Sequence, residues 1–290
     1  MKHIGFVGLG MMGAPMARNL QRAGFRITAY DLRRAAVDAL VAEGGSAASQ
    51  LGDLASTDSV IVMVNTDAQA REVIQALIDG LDARPRSIIC MSTILPSTIR
   101  ELGATAAQAG IGVLDAPVSG GAVVAQLGAL AIMVGGDRGL FDKARPAFEA
   151  VGRTVTHVGP LGAGQALKLV NNMIAISALP AVLEALRIGL QQGLDLTTMV
   201  EVIKVSSGNT WLTDTWDQAR MFLEFLRQDP AQLDALLLTG RKDMELITTM
   251  CAQAGLDTPV LRHSLSMLEP AVIEALRSNV AAIMDAVRPE

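Results

Sequence analysis

A glycine-rich turn near the start of the chain restricts the fold more than any other feature. Residues 8 to 13 match the pattern G-x-G-x-x-G and directly follow a short apolar run, Ile4–Val7. The next residues, from about Met12 to Ala23, have the apolar spacing of a helix, and an acidic residue, Asp31, closes the following predicted strand, Arg26–Tyr30. This order of strand, turn, helix, strand and acid is typical of a βαβ unit that binds a dinucleotide.

Each glycine of this turn has a physical reason. Gly8 allows the tight turn, Gly10 lets the backbone approach a pyrophosphate, and Gly13 lets the helix pack closely on the strand. The helix N-terminus presents amide groups and a partial positive charge to the phosphates. The remaining predicted contacts to the cofactor in this turn are Leu9, Met11 and Met12.

The residue at the end of the second strand indicates which cofactor binds. A carboxylate at Asp31 hydrogen-bonds a free ribose 2′-hydroxyl and repels a 2′-phosphate, so it favours NAD. Arg33 and Arg34 follow after Leu32, and guanidinium groups often hold phosphates, so NADP stays an alternative.

Alternating strands and helices continue through the first half of the chain. This organisation predicts an α/β fold with a Rossmann-type, doubly wound, mostly parallel sheet. The further predicted strands are Asp58–Val64, Arg86–Met91 and Ile111–Leu114, and the predicted helices are Ala68–Asp79 and Pro96–Ala109.

The second half is predicted to be entirely helical. A turn-rich segment at residues 159–164 separates it from the first, which suggests a dinucleotide-binding domain at 1–161 and a substrate and dimerisation domain at 162–290, with a cleft where they meet. The predicted helices are Gln165–Gln192, Leu196–Val205, Thr210–Leu226, Ala231–Ala254 (with a break near Gly240) and Pro259–Met284. Because the first of them is apolar on nearly every face, we expect a homodimer or homotetramer to help bury it.

Composition excludes several classes of protein. With 24 Lys and Arg against 29 Asp and Glu and no basic block, the chain has no electrostatic pattern for nucleic acid. The N-terminus lacks an export-signal pattern, and the uncharged run Ala116–Gly136 contains glycines typical of loops, so we expect a cytoplasmic protein with no membrane span. The two cysteines, Cys90 and Cys251, have no metal-binding spacing, and no metal site is predicted.

Four sequence blocks stand out along the chain. They are the N-terminal segment Gly5–Ala17, the block Asp115–Gly121, the block Gly162–Asn172, and Lys242-Asp243-Met244. In this order they resemble the N-terminal, substrate-binding, catalytic and cofactor-binding motifs of the β-hydroxyacid dehydrogenase family, with Met in the last place of the family's Lys-Asp-Leu. The resemblance extends over essentially the whole chain, in the family's order and spacing.

The resemblance implies an enzyme that transfers a hydride between NAD(P) and a small β-hydroxy acid or the matching semialdehyde. It implies that Lys168 is the general acid and base and that Asn172 assists it. The substrate carboxylate is expected at Ser119, Gly120, Gly121 and Asn172, and further cofactor contacts at Val64, Asn65, Thr93 and Lys242.

The residue types support these roles on chemical grounds. A partly desolvated lysine near the start of an apolar helix gives up its proton more readily than one in water, and Asn172 lies one turn further along the same helix face. Ser119 offers a hydroxyl, and the two glycines after it offer unhindered amides, which suits a carboxylate. A snorkelling lysine and a plain turn are the structural alternatives.

Several functions remain open at this stage. The substrate could be 3-hydroxyisobutyrate, L-threonate, tartronate semialdehyde, succinic semialdehyde or L-serine. Asn65 stands where many relatives have proline, and in this respect the chain is nearer to L-threonate dehydrogenases. An imine reductase or a non-catalytic nucleotide-binding scaffold would share the fold, but such relatives lack the lysine.

Overall fold

The computed structural model describes residues 1–79, 87–267 and 270–287. The chain divides into an N-terminal unit, Met1–Lys168, and a C-terminal unit, Leu169–Glu290. This division falls inside a helix, a little after the predicted domain boundary between 161 and 162, and that boundary stays a prediction.

One sheet organises the N-terminal unit. Its strands are β1 (His3–Val7), β2 (Arg26–Tyr30), β3 (Ser46–Ala47), β4 (Ser59–Val62), β5 (Ser87–Cys90), β6 (Gly112–Asp115), β7 (Val118–Ser119), β8 (Leu130–Gly136) and β9 (Gly152–Gly159). They are ordered β3-β2-β1-β4-β5-β6-β8-β7, with β9 beside β8. Strands β1 to β6 pair in parallel, and β8 runs antiparallel to β6 and β7 but parallel to β9. The first six strands therefore have the order of a dinucleotide-binding fold.

Helices connect the strands of this sheet. They are α1 (Gly13–Arg22), α2 (Arg34–Ala42), α3 (Asp67–Asp79), α4 (Pro96–Gln108), α5 (Gly121–Gln126) and α6 (Arg138–Val151), with a short 3-10 helix at Leu51–Ser56. A long helix, α7 (Ala163–Gln191), follows β9.

Apolar cores cover both faces of the sheet. On β4, Ile61 belongs to a core shared with α1 and α6, whereas Val60 and Val62 belong to the opposite core, shared with α3 and α4. Alternate residues of a strand point to opposite faces, so a strand buried on both sides must be apolar throughout. This confirms the predicted doubly wound, mostly parallel fold.

Four strands of this unit, β3, β7, β8 and β9, were not among the predicted strands. Strand β9 follows α6 and joins the sheet beside β8, although Gly152 alone of its residues is buried. The β-branched residues Thr154, Val155, Thr156 and Val158 favour a strand, and this run could have indicated it. At the predicted strand Arg86–Met91, Arg86 lies outside the described residues.

Helices are the only regular secondary structure among the described residues of the C-terminal unit. After α7 come α8 (Leu196–Lys204), α9 (Trp211–Asp214), α10 (Trp216–Gln228), α11 (Pro230–Gln253), α12 (Pro259–Ser266) and α13 (Pro270–Ala286). Leucine, isoleucine and valine side chains from these helices form one buried cluster.

Three helix predictions in this unit were wrong in detail. Helix α11 continues through Gly240, because the cost of one glycine, about 1 kcal/mol, is small beside the burial of Leu237 and Met244 on either side of it. The predicted helix Thr210–Leu226 is interrupted at Thr215, whose backbone is not helical. The predicted helix Pro259–Met284 is two helices, and Pro270, a residue that favours the first turn of a helix, begins the second.

The long helix α7 is less buried in the single chain than its composition suggests. Ile174 is 67% exposed, and Val170 and Ile188 are also exposed. By length and composition alone, α7 could cross a membrane, and only 17% of its most apolar window is buried within the chain. Exposed apolar residues on α7 leave surface for the expected partner chain.

Candidate active site

The three glycines of the turn differ in the space that surrounds them. Gly8 has a positive φ of 93°, and a Cβ there would lie 2.1 Å from the Met63 carbonyl oxygen. A Cβ on Gly13 would lie 1.9 Å from the Gly8 carbonyl oxygen, so this glycine allows α1 to pack on the turn. A Cβ on Gly10, in contrast, would meet no atom within 4 Å. The open space beside Gly10 fits a ligand that approaches the backbone, such as a pyrophosphate.

Asp31 is tied to the glycine turn as well as being placed at the end of β2. Its carboxylate accepts hydrogen bonds from the backbone amides of Leu9 at 2.7 Å and Arg33 at 2.8 Å. The Arg33 guanidinium lies 3.3 Å from the same carboxylate and also donates to the Leu9 carbonyl oxygen. Burial raises the pKa of Asp31, but these hydrogen bonds and the guanidinium outweigh it and lower the pKa below its usual value.

The two arginines after Asp31 are therefore engaged in different ways. Arg33 braces the glycine turn, whereas Arg34 forms an exposed ion pair with Asp38 on its own helix at 2.9 Å. The ionised Asp31 retains lone pairs that can accept a ribose hydroxyl.

The predicted carboxylate site is a sharp turn between β7 and α5. Ser119 ends β7, and Gly120 and Gly121 follow with positive φ values of 135° and 74°. A Cβ on Gly121 would meet no atom within 4 Å, so its backbone is open on that side. A Cβ on Gly120, in contrast, would lie 2.8 Å from the Val124 side chain, so the turn is open to an anion on the Gly121 side only.

A buried carboxylate holds the start of helix α7. Asp115, fully buried at the end of β6, accepts hydrogen bonds of 2.7 Å from the backbone amides of Gly162 and Gln165. Burial raises the pKa of Asp115, against the lowering effect of these hydrogen bonds. A negative group at a helix N-terminus satisfies amides that have no partner within the helix.

Lys168 lies in the second turn of this helix. Its side chain is only 8% exposed, which is rare for lysine. The helix starts at Ala163, so Lys168 is slightly further into it than the sequence suggested.

The loop after β5, which contains Thr93, is held on both sides. The Gln165 carboxamide donates to the Ser92 carbonyl oxygen at 2.7 Å and accepts from the Ile94 amide at 3.0 Å. The Ser92 hydroxyl accepts from the Val64 amide at 2.7 Å, which ties the predicted contacts Val64 and Asn65 to the same loop. Asp67 accepts from the Leu95 amide at 2.8 Å.

The remaining predicted residues lie together in the C-terminal unit. The side-chain amide of Asn172, on α7, donates a 2.6 Å hydrogen bond to the carboxylate of Asp243, on α11. Lys242 forms an ion pair with the same carboxylate at 2.9 Å. Asp243 is nearly fully buried, so this contact fixes the Asn172 amide.

Two families of domains match consecutive parts of the chain. Residues 3–159 match the NAD binding domain of 6-phosphogluconate dehydrogenase, and residues 162–285 match the NAD-binding domain of NADP-dependent 3-hydroxyisobutyrate dehydrogenase. An NAD-dependent L-serine dehydrogenase of Pseudomonas aeruginosa is 41% identical over 220 residues, covering 75% of this chain and 74% of that protein. The chain belongs to the β-hydroxyacid dehydrogenase family.

Other dehydrogenases of the family support this membership. A 3-hydroxyisobutyrate dehydrogenase of the same bacterium is 40% identical over 221 residues, covering 75% of this chain and 74% of that one. The solved structure of the Mycobacterium tuberculosis 3-hydroxyisobutyrate dehydrogenase with L-serine has a TM-score of 0.81 and 30% identity over the full length of both chains. An imine reductase of Streptomyces aurantiacus, at 19% identity and a TM-score of 0.63, shares only the fold.

Family membership confirms several expectations. The chain is an oxidoreductase that transfers a hydride between NAD(P) and a small hydroxy acid. The non-catalytic scaffold is thereby disfavoured. Matches to dehydrogenases along the whole chain also indicate a soluble protein, in which α7 is a domain helix.

Sequence reasoning missed the residues that hold the site in place. Asp115 and Gln165 both fall inside the recognised blocks, but their types suggested no chemistry. Asp243 was noted only as part of the block that contains Lys242. In each case the hydrogen-bond partner lies far away in the sequence, so only the folded structure identifies it.

Proposed function

We propose that the protein oxidises small 3-hydroxy acids with NAD, using Lys168 as general base. The observation that carries this proposal is a lysine only 8% exposed, in a helix whose first turn is held by a buried carboxylate. An amine protected from bulk water can exchange a proton with a bound hydroxyl without competition from solvent.

Different residues of the chain would contact different parts of the cofactor. The open backbone at Gly10 would receive the pyrophosphate, and Asp31 would accept a ribose hydroxyl. The loop held by Ser92 and Gln165 would place Thr93 beside the nicotinamide. Val64, Asn65 and Lys242 would complete the contacts. When bound, NAD accepts a hydride from the carbon that carries the hydroxyl.

The other residues act on the substrate. The Ser119 hydroxyl and the amides of Gly120 and Gly121 bind its carboxylate, and the Lys168 amine takes its hydroxyl proton as the carbonyl forms. In the reverse direction the Lys168 ammonium returns the proton. Asn172, fixed by Asp243, donates to or orients the reacting oxygen. Most of the rate gain comes from this positioning.

The substrates we favour are 3-hydroxyisobutyrate and L-serine. Both carry a carboxylate and a hydroxyl on the β-carbon, and both are named among the similar proteins. L-threonate remains a second candidate because Asn65 departs from the family pattern.

A substrate panel tests the proposal. Purified protein is incubated with 3-hydroxyisobutyrate, L-serine, L-threonate or D-glycerate, with NAD and NADP in parallel, and the absorbance of the reduced nicotinamide is followed. We expect turnover with NAD and at least one of the first two acids. Absence of turnover with every acid and both cofactors would refute the proposal, and faster turnover with NADP would refute the cofactor assignment.

We also propose a cytoplasmic homodimer or homotetramer that covers the exposed side of α7. Light scattering coupled to gel filtration measures its mass. Ile174→Asp, an exposed position on α7, is expected to reduce that mass, whereas Arg138→Asp, on the exposed face of α6, should leave it unchanged. A wild-type mass equal to one chain would contradict the proposal.

A further inference from the structure

Gln165 joins two elements that the proposed reaction needs at a fixed separation. Its side chain is fully buried, and it spans the residue Thr93 by bonding the carbonyl oxygen of Ser92 and the amide of Ile94. Its own backbone amide is held by Asp115. One residue therefore connects the loop after β5, helix α7 and the end of β6.

The two bonds require a carboxamide. One end of the side chain must donate to a carbonyl, and the other end must accept from an amide. Methionine has a similar length but can do neither well, and glutamate can accept but, when ionised, cannot donate. A buried Gln165 is therefore specified by hydrogen bonding rather than by packing.

The position of this residue on the helix relates it to the proposed base. Gln165 and Lys168 are three residues apart on α7, so they lie on the same face about one turn from each other. Strands β5 and β6 pair with Cys90 opposite Asp115, so the Thr93 loop and the carboxylate that caps α7 leave the sheet at the same level.

From these contacts we infer that Gln165 is a positioning residue, which fixes the Thr93 loop relative to Lys168. The inference rests on the proposed function. Without the two bonds, the loop and the helix can shift independently, and a displacement of about 1 Å between reacting groups can reduce a rate by about a hundredfold. In the proposed reaction Gln165 acts through the Thr93 loop and helix α7 rather than directly on the substrate or the cofactor.

The test uses Gln165→Met in the full-length protein, with Leu77→Ala as a matched control. Leu77 is fully buried on α3, so its replacement loosens the same unit by lost packing, without removing a bond to the Thr93 loop. For Gln165→Met we expect kcat to fall about 10- to 100-fold, with the Kd for NAD within about twofold of wild type. For Leu77→Ala we expect a lower melting temperature and a nearly unchanged kcat.

A second readout does not depend on activity. Hydrogen exchange of the Ile94 amide is expected to be faster in Gln165→Met than in wild type, and unchanged in Leu77→Ala. Gln165→Glu keeps the length of the side chain and the bond to Ile94, so it serves if the methionine variant fails to fold. It should preserve Ile94 protection and still lower kcat, because a carboxylate then faces the Ser92 carbonyl.

The outcomes separate the two proposals. Unchanged kcat in the Gln165 variants of an active enzyme, or an equal loss in Leu77→Ala, would overturn the positioning role alone. Unchanged exchange at Ile94 in Gln165→Met would overturn the clamp itself, whatever the reaction. A wild-type protein inactive toward every acid of the panel would overturn the proposed function, and the positioning role with it.

Discussion

Replacing Gly10 with alanine should separate cofactor binding from folding. The added methyl group meets no atom of the chain within 4 Å, and Gly10 is not among the glycines with positive φ. Alanine therefore fits without strain. Because it reduces the conformational entropy of the unfolded chain, it should raise the free energy of unfolding by about 0.4–1 kcal/mol. The methyl group would fill the space through which the pyrophosphate is proposed to reach the backbone. Loss of one amide–phosphate hydrogen bond, about 1.5–3 kcal/mol, should weaken NAD binding by about 10- to 150-fold.

Gly13→Ala provides the opposite case in the same turn. Its Cβ would lie 1.9 Å from the Gly8 carbonyl oxygen, so the backbone must move. Such overpacking costs about 1–3 kcal/mol, which corresponds to a fall in melting temperature of roughly 2–12 °C for a protein of this size.

Thermal unfolding without ligand and calorimetric titration with NAD measure both effects. We expect Gly10→Ala to melt at or slightly above the wild-type temperature and to bind NAD poorly, and Gly13→Ala to melt lower. Wild-type NAD affinity in Gly10→Ala, or a wild-type melting temperature in Gly13→Ala, would refute this explanation of the glycine pattern.

Three further predictions concern single side chains. Lys168→Met should lower kcat by at least about a thousandfold with the Kd for NAD within twofold, and comparable turnover would exclude the lysine as the base. Asp31 has a lowered pKa, so the stability it adds is complete above its unfolded pKa and is lost as the pH falls through its folded value. The melting temperatures of wild type and Asp31→Asn should therefore differ at pH 7 and converge in acid; a constant gap would contradict this. Asp243→Asn loses a charge-assisted bond to Asn172 and should destabilise the protein by about 1–3 kcal/mol in urea unfolding; unchanged stability would show that the bond contributes little.

The parallel part of the sheet was predictable because its strands are buried on both faces. Every residue of a run such as Val60-Ile61-Val62 is apolar, so both faces of the strand must be buried. A sheet covered by helices on both faces buries them in this way. Strand β9 was not predicted, because its exposed side chains, including Arg153, do not form a continuous apolar run. The pairing of β9 with β8 depends on a long-range contact that local sequence does not encode.

Among the proposed site residues, those with reactive or permissive chemistry could be proposed from the sequence, and those that act through geometry could not. Lys168 is recognisable because a lysine is unusual in an apolar helix, and Gly10 because it belongs to a G-x-G-x-x-G pattern between a strand and a helix. Gln165 and Asp115 look like ordinary polar residues until their partners, many residues away in the chain, are known. Their roles follow from the tertiary fold rather than from local pattern.

The register of the sheet connects the apolar strands with the residues of the proposed site. Asp115 is the last residue of β6 and pairs with Cys90, the last residue of β5. Successive residues of a strand face opposite sides of the sheet, so a shift of one residue in β6 would turn Asp115 to the other face and remove the cap of α7. Lys168 would then lose the support of its helix although no residue of the helix had changed. The apolar strands that determine the register thus also determine where the proposed base is held.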